Sequence, residues 1–157
     1  MPLVRSDYKP VGLFRNGHFS TVYSGLFRRV EFSYDHRERL ELPDGDFVDI
    51  DWVSGNTKNG KLIILLHGLE GSANRPYMLG MATYFKKNGF DVAGMNFRGC
   101  SGEPNRKYGS YHSGHTEDLD FLINHILEKD YYHYITLAGF SLGGNLTLKY
   151  LGERSDL

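Results

Sequence analysis

YITLAGFSLGGNLTLKYL, residues 134–151, is the stretch on which the reading of this chain turns. Tyr134 to Phe140 is an apolar run of strand length, and Leu142 to Leu151 reads as a helix. Between them lies Gly139-Phe140-Ser141-Leu142-Gly143, a G-x-S-x-G pattern. Glycine and serine are common, so the pattern alone says little. Its place at a strand-to-helix turn gives it weight, because a nucleophile elbow needs that context. The backbone at so sharp a turn is strained, and the residues two before and two after the serine crowd each other. Gly139 and Gly143 carry no Cβ to clash, and Gly144 eases the approach of helix to strand. Such a turn lifts the Ser141 hydroxyl clear of the sheet. It also aims a helix N-terminus at the place where negative charge would develop.

Upstream, KLIILLHG (residues 61–68) is a continuous apolar run, as expected of a strand covered on both faces. Pro76 to Asn88 reads as a helix with Met78, Leu79, Ala82, Tyr84 and Phe85 as its apolar surface, closed by Gly89. DVAGMNF (91–97) is the next strand, and a Gly/Ser-rich loop runs from Arg98 to His115. Thr116 reads as an N-cap, with Glu117 and Asp118 at the positive end of a helix. Leu119, Leu122, Ile123, Ile126 and Leu127 form that helix's stripe. Strand, helix, strand, helix, strand, helix from residue 61 implies an α/β fold with a parallel sheet and right-handed crossovers.

Toward the N-terminus, RERLEL and FVDIDWV flank Pro43-Asp44-Gly45-Asp46 and predict an antiparallel hairpin over 37–53. Val48, Ile50 and Trp52 share one face, and Asp49 and Asp51 the other, which is expected to be solvated. Residues 1–36 read as an N-terminal extension with a short helix from about Ser20 to Arg29, and 37–157 as the N-terminal part of one domain.

The second chemical signal is His67-Gly68-Leu69-Glu70-Gly71, directly after the LIILL strand. Acyl transfer needs two donors for a tetrahedral oxyanion, one from the residue after the nucleophile and one from the loop after the earlier strand. The Leu142 and Leu69 amides are the candidates. His67 is expected to brace this loop rather than to act as a base. His112, His115 and Asp118 make an H-x-x-H-x-x-D string, but it straddles a loop and a helix start, and a structural loop is favoured over a metal site. Cys100 lacks an elbow and reads as a packing residue.

Composition excludes several classes. With 40% hydrophobic and 24% charged residues the chain is ordinary globular material. A formal net charge of -1 gives no field to recruit nucleic acid. Arg28 and Arg29 read as a solvated patch. No run is long enough to span a membrane as a helix, and the first residues show no signal-peptide pattern. The single cysteine forbids an internal disulfide, so a reducing, cytoplasmic setting is expected.

HGLEGS, NFRGCSGEPN, YHSGHTEDL and GFSLGGN, in this order and spacing, resemble the YheT-type branch of the α/β-hydrolase superfamily. NGHFSTVYSGLFRR and RERLELPDGDFVDIDW resemble that branch's N-terminal signature. The resemblance covers about Asn16 to Glu153. It implies a serine hydrolase of carboxylic esters, lipid-type esters included, working without metal or organic cofactor, with the triad in the order nucleophile, acid, histidine. No histidine follows Ser141, and Glu153 and Asp156 are the side-chain carboxylates after it. The acid and histidine are therefore expected downstream, the chain is expected to end after the nucleophile helix of a longer domain, and by itself to be inactive. The rival is a noncatalytic module of the same fold that binds a ligand or partner. The reading frame after Leu157 separates the two, because a strand-end Asp and a late His belong only to the enzyme.

Overall fold

The structure is a computed structural model that describes residues 6–55 and 59–154. The polar turn expected from Asn56 to Lys61 lies partly outside the described residues. The chain divides into two compact units, one through Val30 and one from Glu31.

In the first unit a 3-10 turn (Gly12–Arg15) leads into helix α1 (Gly17–Val22), which continues as a wider π-type turn over Tyr23–Phe27. The helix starts three residues before the expected Ser20. Asn16 causes this, since its side chain accepts from the Phe19 amide at 3.1 Å and caps the first turn. The rings of Phe14, Phe19 and Tyr23 pack on one another, and Phe27 stacks on Tyr23.

The second unit is built on five strands: β1 (His36–Glu41), β2 (Phe47–Val53), β3 (Lys61–Leu66), β4 (Asp91–Asn96) and β5 (Tyr134–Gly139). Their order across the sheet is β1-β2-β4-β3-β5. β1 and β2 form the expected antiparallel hairpin, β2 runs antiparallel to β4, and β3 runs parallel to both β4 and β5. Four strands therefore share one direction and β2 alone opposes them, which makes this a mostly parallel α/β sheet.

The apolar run in β3 reflects its central place. Leu62, Ile64 and Leu66 pack with Leu119, Leu122 and Ile126 of α3 (Glu117–Leu127) and Leu146 of α4 (Leu142–Glu153). Ile63 and Leu65 face the other way, onto Met78 and Ala82 of α2 (Pro76–Lys87). Each fully buried side chain of this size contributes about 1.5–3 kcal/mol. Tyr84 and Leu127, assigned to apolar stripes from sequence, are instead exposed at the helix margins.

The Asp49–Asp51 face is not solvated, contrary to expectation. The two carboxylates are 1% and 4% exposed. The loop after β4 folds over them, with Ser101 Oγ donating to Asp49 at 2.6 Å. Arg39 and Arg37 on the neighbouring strand each engage one aspartate through two nitrogens. Burial alone would raise the Asp49 carboxyl, but hydrogen bonds from Arg39 and Ser101 hold it below the ordinary carboxylate range. Thr116 also departs from expectation. It precedes α3, but its hydroxyl donates to Glu153 of α4 at 2.7 Å instead of capping its own helix.

Candidate active site

After β3 the chain crosses first to β4 on one side and then to β5 on the other. The loops at the C-terminal ends of β3 and β5 therefore meet where the sheet order reverses, the usual ligand position of an open α/β sheet. Leu66 stands opposite Gly139, and the Phe140 amide donates to the Leu66 carbonyl at 3.0 Å. The His67–Gly71 loop and the Phe140–Ser141 turn thus leave adjacent strands side by side. A Cβ on Gly68 would stand 3.4 Å from Ser141 Cβ.

Ser141 lies between the last residue of β5 and the first of α4, at φ 51° and ψ -114°. That is a left-handed φ on a residue with a side chain, a conformation that costs about 1–3 kcal/mol. The glycines around it are required by space. A Cβ on Gly139 would overlap the Gly143 carbonyl, and one on Gly143 would reach 2.5 Å from the Leu66 carbonyl. The turn at Ser141 therefore leaves no room for a Cβ at either glycine. Ser141 is exposed, and its hydroxyl has no hydrogen-bond partner among the described residues.

The loop after β3 is held at several of its backbone atoms. The Gly71 amide donates to the Gly68 carbonyl at 3.0 Å and closes a turn in which Glu70 adopts φ 51°. Gly68 donates to Tyr77 Oη at 3.1 Å, and Glu70 donates to Tyr111 Oη at 2.8 Å. Arg75 donates to the Glu70 carbonyl. Among the described residues neither Leu69 N–H nor Leu142 N–H donates to any group. These are the two donors nominated from sequence.

His67 is fully buried. Its Nδ1 lies 2.7 Å from the Gly68 carbonyl, which can only accept, and its Nε2 lies 3.2 Å from the Phe97 amide, which can only donate. The ring is thus the neutral Nδ1–H tautomer with both nitrogens occupied. Burial depresses its pKa, opposed by the Gly68 carbonyl and aided by the charge of Arg75. A ring so placed braces the loop and has no lone pair free to take a proton from Ser141.

The other sequence candidates have structural partners. His112 Nδ1 accepts from the Gly114 amide, and His115 Nε2 lies 3.2 Å from Asp118. Asp118 presents both oxygens to the buried Arg98, which also reaches Asp44 in the hairpin turn. Cys100 packs at the edge of the larger core cluster, and burial pushes its thiol up. It lines, with Leu69, Glu70 and Tyr111, an open cleft of about 650 Å³ beside the loop. Sequence reasoning did not find Tyr77 and Tyr111. Their roles depend on hydroxyls that meet the loop from elsewhere in the fold, and no local motif announces them.

Residues 61–157 match the family described as the alpha/beta hydrolase fold. Over 154 residues the chain is 42% identical to YheT of Escherichia coli (strain K12), provisionally named an esterase, covering 96% of this chain and 45% of that protein. It is 27% identical over 162 residues to human monoacylglycerol lipase ABHD2, with 97% of this chain and 38% of that protein covered. The chain spans less than half the length of these relatives. Among solved structures, an esterase of Pyrococcus furiosus superposes with a TM-score of 0.68 at 21% identity, covering 81% of this chain and 47% of that one. An alpha-beta serine hydrolase homologue from Coxiella burnetii gives 0.64 at 20% identity, covering 80% and 61%. At such identities the likeness is one of fold. No helix among the described residues is long and apolar enough to cross a membrane.

Proposed function

The chain belongs to the α/β-hydrolase family, and from that premise we propose that the whole protein is a serine hydrolase of carboxylic esters acting through an acyl-enzyme. The observation that carries this reading is the strained, exposed Ser141, beside the Leu69 amide, which donates to no group among the described residues. Strain of this kind persists where the surroundings impose it, and it clusters at sites of chemistry.

In the proposed reaction Ser141 Oγ attacks the ester carbonyl carbon while its proton passes to a general base. The carbonyl electron pair moves onto oxygen, and the Leu69 and Leu142 amides hold that oxyanion. Collapse of the tetrahedral intermediate breaks the bond to the alcohol, which leaves with the proton. Water then hydrolyses the acyl-enzyme by the same steps. His67 cannot serve as the base, so the base and its orienting acid are expected from residues following α4, in the order nucleophile, acid, histidine. The relatives named as esterase, monoacylglycerol lipase and phospholipase support esters, lipid esters among them, as the substrate class. No metal or organic cofactor enters this chemistry.

The test is hydrolysis of p-nitrophenyl esters by the full-length protein. Ser141→Ala should remove all but a small residue of the rate. An unchanged rate would remove Ser141 from the mechanism.

A further inference from the structure

We propose that Tyr77 and Tyr111 are positioning residues that set which amide of the loop after β3 faces the oxyanion. This rests on the ester-hydrolase reading above. The turn Gly68-Leu69-Glu70-Gly71 presents three successive amides, of Gly68, Leu69 and Glu70, and an oxyanion donor must be both correctly aimed and free. Tyr77 Oη accepts the Gly68 amide and Tyr111 Oη accepts the Glu70 amide, so the flanking donors are occupied and Leu69 N–H alone remains. A phenol suits this task because its oxygen accepts while its ring anchors it.

The anchoring differs for the two rings. Tyr77, at the start of α2, packs on Phe140, the residue before Ser141, with ring centroids 4.8 Å apart. One side chain thus touches both the loop that carries Leu69 and the elbow that carries Leu142, and it fixes one relative to the other. Tyr111, from the loop after β4, stacks on Phe97 at 5.3 Å, and Phe97 packs against His67 at 4.4 Å. Its hydroxyl also holds Glu70, whose φ of 51° an unsupported loop would tend to relax. Losing either hydroxyl frees a competing amide and lets the Leu69 donor drift, and oxyanion stabilisation is sensitive to displacements well below 1 Å.

The experiment compares Tyr77→Phe and Tyr111→Phe with the unaltered full-length protein, with Tyr84→Phe, an exposed tyrosine of α2, as control. Rates of p-nitrophenyl acetate hydrolysis are expressed per active site titrated with a fluorophosphonate, so partial misfolding does not enter. Each variant is also titrated with an alkyl trifluoromethyl ketone. Ser141 Oγ adds to the ketone carbon, its proton passes to the base, and the carbonyl pair becomes a hemiketal oxyanion in the same hole. The expected result is a fall of about tenfold in kcat for each Tyr→Phe variant with KM nearly unchanged, matched by an equal loss of ketone affinity. Tyr84→Phe should change neither. Unchanged kcat and ketone affinity, or a rise in KM alone, would overturn the inference. Loss of activity in Ser141→Ala together with unaltered tyrosine variants would sink this inference and leave the ester-hydrolase reading standing. An active Ser141→Ala would sink that reading itself.

Discussion

Gly143 lies so close to Leu66 that a Cβ on the glycine would stand 2.5 Å from the leucine's carbonyl oxygen. The neighbour is backbone of the central strand, so neither partner can swing aside. Gly143→Ala must push α4 away from β3. The expected cost is about 1–3 kcal/mol or more, read as a lower denaturation midpoint. Gly144→Ala should cost less, since its nearest atom, the Gly139 carbonyl, would lie 3.1 Å away.

Backbone strain at Ser141 makes a second prediction. Glycine adopts a positive φ without penalty, whereas alanine keeps the strain of serine. Both Ser141→Gly and Ser141→Ala should be inactive, but Ser141→Gly should unfold at a higher denaturant midpoint, by about 1 kcal/mol. Equal midpoints would mean that the turn is not strained.

The buried ring of His67 predicts a pH dependence. Its folded-state pKa lies below the ordinary 6.5, so the unfolded chain takes up a proton near that pH that the folded chain refuses. The stability from the neutral ring is complete above pH 6.5. It is lost as pH falls below that value, at up to about 1.4 kcal/mol per pH unit, until the folded ring protonates. His67→Asn removes the titration. It should be less stable than the unaltered protein at pH 7.5, and the gap should narrow between pH 6.5 and 5.5. A constant gap would contradict a buried ring held neutral in the folded chain.

Arg98 and Asp118 form a buried pair that joins the loop after β4 to α3, while Asp44 ties the same guanidinium to the hairpin turn. Asp118→Ala leaves a buried cation short of its main partner and should cost about 3–5 kcal/mol. Glu103→Ala breaks the exposed pair with Arg39 and should cost less than about 1 kcal/mol. Chemical denaturation of both variants checks the contrast.

These cases mark where the sequence was legible. The tight strand-to-helix turn at Ser141, the β3 run and the hairpin follow from local rules: crowding between residues two apart, burial of a continuous apolar run, and turn residues between alternating strands. Asp49 and Asp51 misled because alternation reports which residues share a face, and what covers that face came from a loop some fifty residues further on. Thr116 misled for the same reason, its hydroxyl being claimed by Glu153, 37 residues away. Tyr77 and Tyr111 left no trace because tyrosine is abundant here, and only the assembled fold singles out the two whose hydroxyls meet the Gly68 and Glu70 amides.

The proposed function stands or falls on Ser141 being the nucleophile of the whole protein. Its most direct measurement is labelling of the full-length protein with a fluorophosphonate, followed by mass-spectrometric location of the adduct. One adduct per chain is expected, on Ser141, and none on Ser141→Ala. Stoichiometric labelling at another residue, or labelling that persists in Ser141→Ala, would contradict it.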